Sequence, residues 1–263
     1  MTADKIEYYL NKTHHKNLYF AGKIPPGWEF PSYRIDLKSA ANTTIQPMHV
    51  QYTINNMGYN STFDYDESLL QTKNILCLGD SNVFGLILEK DKTFVSKLQR
   101  MFPQHRVMNM GLPGGSADSV SRIAVNTVNA LPGTVDAVLV IWPTYLRREF
   151  ASIKYQGLVY KTPENNQTIP YPEYWDFIDW KSNSYNFYKN KLLVSAVCRA
   201  SNIPFYDLEI DYEDKYVKED MVNSYGKEEY TTFGFDTHRA IANHFYKKIT
   251  GQPTLFEERC RSS

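Results

Sequence analysis

From about residue 74 onward, short apolar runs alternate with amphipathic stretches. Asn74–Leu78 carries Ile75, Leu76, Cys77 and Leu78 in succession, a wholly apolar run of the kind that forms a strand covered on both faces. "KTFVSKLQRMF" sets Phe94, Leu98 and Met101 at helical spacing, and Pro103 stops it. "RVMNMG" predicts a second strand. "SADSVSRIAVNTVNAL" predicts a helix with a Ser or Asp cap, running to Pro132. "DAVLVIWP" is a third strand, the most apolar in the chain. "SYNFYKNKLLVSAVCRAS" predicts a helix with Tyr188, Leu192, Val194 and Ala196 among its apolar positions, and "IPFYDLEI" a further strand. "HRAIANHFYKKITG" predicts the last helix, with Ile241, Ala242, Phe245 and Ile249 on one face and Gly251 as its stop.

Strands and helices alternating at this length predict an α/β fold. The expected form is a three-layer α/β/α, flavodoxin-like doubly wound parallel sheet of four to five strands. Residues 74–252 form this domain, and 253–263 are a C-terminal tail. Residues 1–73 are weakly periodic and poor in aliphatics, so they read as an N-terminal extension packed on the domain. Within it, "GKIPPGWEFPSY" reads as an irregular loop, and "MHVQYTINNMGYNS" as a short strand closed by an Asn-Met-Gly turn. Residues 151–182, rich in Tyr, Pro and Trp, break the rhythm. They read as an insertion near the site, either a substrate wall or a packed surface loop.

In such sheets ligands bind beyond the carboxyl ends of the strands. Ser81, Gly111 and the Trp142–Tyr145 segment each follow a predicted strand, so they share one rim. Ser81 stands between a strand end and a helix start, where a hydroxyl is held rigidly, remains reachable and has backbone N–H groups nearby. The plainer alternative is that Asp80 or Ser81 caps a helix. Val83 removes the second glycine of a Gly-x-Ser-x-Gly elbow. No Gly-Lys-Ser/Thr follows a glycine cluster, and "GLPGGSAD" lacks the Gly-x-Gly-x-x-Gly spacing of a dinucleotide loop.

Lys+Arg and Asp+Glu are both 29 in the 263 residues, a balance with no general pull toward nucleic acid or an anionic membrane. Three widely spread cysteines, Cys77, Cys198 and Cys260, fit neither a disulfide framework nor a zinc site. Cys77 and Cys198 read as buried small hydrophobes. With no apolar leader and no run of membrane-spanning length, the expected location is the cytoplasm, or a virus particle. Aromatics are abundant, with 20 Tyr; they pack cores or stack on sugar faces.

"LGDSNVFG" resembles the first conserved block of the SGNH (GDSL) hydrolase family. "VMNMGLPGGSADS" resembles its second block, and "FDTHRAIANHFYKKI" its last. The likeness spans about Asn74–Gly251, and "YTINNMGYNS" is similar to a segment found just upstream in some members. The resemblance implies Ser81 as nucleophile, His238 as general base, Asp236 orienting His238, and the backbone N–H groups of Ser81 and Gly111 as oxyanion donors. Among six histidines, His238 alone has a carboxylate two residues before it and a helix after it. His244, six residues on, lies off the i, i+4 spacing of a metal pair.

The chain departs from the family pattern twice. Asp236 precedes His238 by two positions where the family has three, so Asp236 either orients the imidazole or only caps the helix. The third block, Gly-x-Asn-Asp, is replaced by Trp142-Pro143-Thr144-Tyr145. Thr144 aligns with the missing oxyanion-hole Asn, a type of donor whose loss costs about a hundredfold or more in turnover. Arg147 and Arg148 either bring positive charge to a substrate or form surface ion pairs. The expected function is a serine esterase acting through an acyl-enzyme on a small-molecule or glycan ester, with an O-acetylated sugar favoured. No metal or cofactor, nucleic-acid partner or membrane span is expected. The rival is a non-hydrolytic glycan- or protein-binding module with a degraded oxyanion hole. Acyl transfer to a sugar acceptor is a third outcome. The sequence leaves the oligomeric state open.

Overall fold

A computed structural model describes residues 29–34, 46–53, 55, 59–61, 67–86, 88–152, 157–161, 180–210, 221–223 and 231–253. Two strands, β1 (Glu29–Arg34) and β2 (Gln46–Gln51), precede the alternating part. Then come β3 (Lys73–Gly79), the single turn α1 (Ser81–Phe84), α2 (Phe94–Met101), β4 (His105–Gly111), α3 (Ala117–Ala130) and β5 (Val135–Ile141). A hairpin of β6 (Arg148–Ser152) and β7 (Gly157–Lys161) follows. The chain continues through α4 (Trp180–Ala200), β8 (Phe205–Leu208), β9 (Met221–Asn223), β10 (Thr231–Phe233) and α5 (Phe235–Thr250).

Strands β4, β3, β5 and β8 form a parallel sheet in that order. Side chains alternate between its faces because the strand period is two. Leu76 and Leu78 join Met108, Met110, Val138 and Val140 on one face, under α3 and α4. Ile75 and Cys77 join Val107, Ala137, Leu139 and Ile141 on the other, under α2 and α5. This is the three-layer doubly wound arrangement read from the sequence. Each such aliphatic side chain, taken fully out of water, contributes about 1.5–3 kcal/mol. Burial pushes the Cys77 thiol up and the Cys198 thiol up to about 11, which suits inert core residues.

The helix ends obey local rules. Thr93 accepts from the Ser96 N–H at the start of α2. At α3, Ser116 and Ser119 form a reciprocal capping box. Gly251 ends α5 at φ 70°, a left-handed conformation that costs glycine nothing.

Two expectations are corrected. The stretch read as an irregular loop contains β1, which pairs antiparallel with β2 from Glu29↔Gln51 to Arg34↔Gln46. Tyr33 also pairs with Asn223 of β9, and β9 with β10. The ladder partners lie far along the chain, so no local pattern announces them. In α4, Tyr188 and Leu192 are 57% and 70% exposed, while Asn183, Asn186, Phe187, Asn190, Val194 and Cys198 are buried. The inward face is half polar because Asp118 of α3 lies opposite. Its Oδ1 accepts from Asn186 Nδ2 and Asn190 Nδ2, both at 2.8 Å, and its Oδ2 from the Glu149 N–H of β6 at 3.1 Å. Buried amides need partners, and one carboxylate supplies them. The Asn-Met-Gly turn, most of the 151–182 insertion and Cys260 lie outside the described residues.

Candidate active site

The parallel register sets the rim. Gly79 at the end of β3 faces Gly111 at the end of β4, and Leu78 faces Val140 of β5. The α1 turn lies directly across these ends. A Cβ on Gly111 would overlap the backbone nitrogen of Phe84 and lie 2.6 Å from the Val83 carbonyl carbon. Glycine is therefore required for α1 to sit this low, and Ser81 is fixed to the sheet by that close approach.

Asp80 caps α1 and is almost fully buried. Its Oδ1 accepts from the Asn82 backbone N–H and from Asn82 Nδ2, each at 3.0 Å, and its Oδ2 from Arg147 Nη1 at 2.8 Å. Asn82 Oδ1 accepts from the Phe233 N–H at 3.2 Å, which ties the end of β10 to α1. Asp80 and Asn82 are thus consumed in building the turn. Ser81 between them is half-buried, and its hydroxyl bonds to no described residue.

The other candidates are placed as follows. The Gly111 N–H, expected to face an oxyanion, donates to Asn109 Oδ1 at 3.0 Å. Thr144 Oγ1 accepts from the Leu146 N–H at 3.4 Å, which leaves its own O–H able to donate. Arg147 binds Asp80. Arg148 points the other way, its Nε donating to Asn183 Oδ1 at 3.0 Å and its Nη2 to the Ser182 carbonyl at 2.9 Å. Asp236 is exposed and pairs with Arg239, 3.0 Å away.

His238 lies inside the protein with no exposed surface. Its Nδ1 accepts from the Phe94 N–H at 3.0 Å, so a neutral ring carries its proton on Nε2. Nε2 is buried without a hydrogen-bond partner. The ring stacks on Phe94, centroids 5.8 Å apart, and meets Phe233 edge-on at 6.4 Å. Burial, and secondarily the Lys97 charge, lower its pKa from 6.5 to about 3. No hydrogen bond joins His238 to Ser81 or to Asp236. The structure therefore places Ser81 at the rim beside the Asp80–Arg147 pair and encloses His238 against the start of α2.

A signal for this placement exists in the sequence. His238, Ile241, Ala242 and Phe245 follow the i, i+3, i+4, i+7 spacing of one helical stripe, and all four are buried. The helix begins at Phe235 after Gly234, with the His238 N–H donating to the Gly234 carbonyl at 3.1 Å. His238 sits a full turn inside α5 rather than at its mouth. The sequence reading offered Asp80 as a helix cap, the role it has at α1, but missed Asn82 and Asn109 as further builders of the turn under Ser81.

Among the described residues no group of three or more His, Cys, Asp or Glu side chains converges to hold a metal ion. None of their helices is long and apolar enough to cross a membrane.

No protein-family model matches the chain, and no curated protein matches its sequence. Among solved structures, the crystal structure of AlinE4, an esterase of the SGNH-hydrolase family, is similar over 70% of this chain and 75% of its own, at 11% identity and a TM-score of 0.36. A serine-to-alanine mutant of AlinE4 is similar over the same shares at 10% identity and the same TM-score. At that level the functional reading rests on the rim itself.

Proposed function

We propose that this chain hydrolyses carboxylic esters, with Ser81 as the attacking residue. The observation that carries the reading is the Ser81 hydroxyl: it bonds to no described residue, while its neighbours Asp80 and Asn82 are committed to the turn, and it stands just past a strand buried from Asn74 to Gly79. Ser81 Oγ attacks the carbonyl carbon and gives up its proton. The alcohol leaves protonated, and an acyl ester remains on Ser81. Water then attacks that ester, releasing the acid and restoring the hydroxyl. The Ser81 N–H and the Thr144 O–H are the donors for the tetrahedral anion. Abundant aromatics favour an O-acetylated sugar as substrate. His238 serves as base in this reading only by leaving the Phe94 N–H and turning toward the rim, where a re-solvated imidazole regains a pKa suited to proton transfer.

A second reading, a non-hydrolytic binding module, is favoured by a specific observation. The imidazole and the Gly111 N–H, which catalysis recruits, are both engaged within the fold. Hydrolysis of p-nitrophenyl acetate and butyrate separates the two. Turnover by the wild type that falls to the buffer rate in Ser81→Ala supports the esterase. A wild type no faster than buffer leaves the binding module, and a Ser81→Ala variant equally fast refutes Ser81 catalysis.

A further inference from the structure

Helix α4 carries its apolar residues on the side where a surface helix ordinarily presents charge. Asparagines fill half of its inward face, while Tyr185, Tyr188, Leu192 and Leu193 face solvent, Tyr185 at 75% exposure and Leu193 at 44%. With about 100° between successive residues, these four and the exposed Ala196 fall within roughly 140° of the helix and span about 16 Å of its length. The four side chains offer about 400 Å² to solvent, an area in the range of the largest patch on a typical monomer and often functional. The Tyr188 ring meets Phe187 edge-on, centroids 5.5 Å apart, so part of the stripe is held in place before any partner arrives.

Charge and area select the occupant. The charged residues of α4 are Lys181, Lys189, Lys191 and Arg199, with no carboxylate among them. Lys191 turns aside to Asp207 and Glu209; the other three stand on the outward side. Three cations are fewer than the roughly four to eight that attach a segment to an anionic membrane. A second copy laid parallel on this face sets Lys189 on Lys189 and Arg199 on Arg199, which like charges forbid. An antiparallel copy, related by a two-fold axis at Leu192, avoids both clashes. It sets Leu192 on the partner's Leu192 and Tyr188 against the partner's Ala196, bulk against a small residue. Lys189 then meets the partner's Ser195, and the Arg199 guanidinium meets the partner's Tyr185 ring, a cation over an aromatic face. Two such stripes bury about 800 Å² from the four apolar side chains alone, and the Lys189 and Arg199 stems carry the contact to the roughly 1,000 Å² of a specific interface.

We propose that the outward face of α4 is a docking surface for a second copy of this chain, forming a two-fold symmetric dimer with the α4 helices antiparallel across Leu192. The dimer does not rest on ester hydrolysis at Ser81, and its test reads association rather than turnover.

Sedimentation equilibrium on the full chain is expected to give twice the mass of the chain, with a dissociation constant of about micromolar order. Leu192→Glu sets two carboxylates against each other on the axis and is expected to weaken association about a hundredfold or more. Its side chain points to solvent in the single chain, so the melting temperature of the dilute variant is expected to stay within about two degrees of wild type. Cross-linking in a Cys260→Ser chain reads the register. Under copper phenanthroline, Leu192→Cys is expected to join two chains through a disulfide. Tyr185→Cys is not, because the antiparallel arrangement holds it about 20 Å from its own copy. A wild type that stays monomeric at about 100 µM overturns the proposal; co-sedimentation of that monomer with phosphatidylserine-containing vesicles assigns the face to a lipid surface instead. A dimer that Leu192→Glu leaves intact, or a Tyr185→Cys variant that cross-links as readily as Leu192→Cys, overturns it equally.

Discussion

Lowering the pH across the imidazole range tests the placement of His238. Its folded-state pKa is about 3 against 6.5 for the free ring. Above pH 6.5 both folded and unfolded chains hold it neutral, and its contribution to stability is fully present. Below 6.5 the unfolded chain binds a proton that the buried ring refuses, so stability falls by about 1.4 kcal/mol per pH unit until the folded pKa is reached. By pH 5 the loss is about 2 kcal/mol, and its full extent is about 5 kcal/mol. Other groups titrate over the same range, so the measurement is a difference. His238→Asn keeps an acceptor near the Phe94 N–H and deletes the titration. Urea unfolding followed by tryptophan fluorescence at pH 8, 7, 6 and 5 gives the two stability curves. The variant is expected to be less stable at pH 8 by about 1–3 kcal/mol, from lost ring packing. The gap is expected to shrink by about 2 kcal/mol at pH 5. Parallel curves refute the reasoning, because a ring that titrates normally in the folded chain is not enclosed against Phe94. They would also favour His238 as the working base of an esterase.

Three further outcomes follow from the rim and its supports. Gly111→Ala forces a Cβ into the Phe84 backbone and is expected to cost about 3 kcal/mol or prevent folding; a melting temperature unchanged within about two degrees contradicts the close approach. Asp118→Ala strips the partner from Asn186, Asn190 and the Glu149 N–H, with an expected loss of about 3 kcal/mol in urea unfolding; a neutral substitution would mean that the α3–α4 seam is not held as described. Arg147→Ala leaves the buried Asp80 carboxylate unpaired and is expected to cost about 2 kcal/mol. Asp80→Asn in the same chain should recover part of it, and strict additivity in the double-mutant cycle refutes the pairing.

The layers were legible because their signals are local. An unbroken apolar run in β3 and β5 means burial on both faces, and caps such as Thr93 and Ser116 mark helix starts within a few residues. The face of α4 was misread because hydrophobicity was taken as the guide to burial, whereas three inward positions are asparagines, two recruited by the Asp118 carboxylate about seventy residues upstream and the third by Arg148. Strand β1 was missed for a similar reason: its hydrogen-bond partners come from residues 46–51 and 221–223. At the candidate site, the motif around Ser81 located the turn correctly on the rim. The role of His238 was drawn from its neighbours in sequence, while its helical phase with Ile241, Ala242 and Phe245 signalled its burial.

The bond from the Phe94 N–H to His238 spans 144 residues. On a ribosome adding about 5–20 residues per second, the beginning of α2 waits roughly 7–30 s for the helix that completes it. Over that interval Phe94, Val95 and Leu98 have no Phe245 or Ile241 to rest against. Until then the nascent chain carries an uncovered apolar flank, the kind of surface that invites aggregation or a holding chaperone.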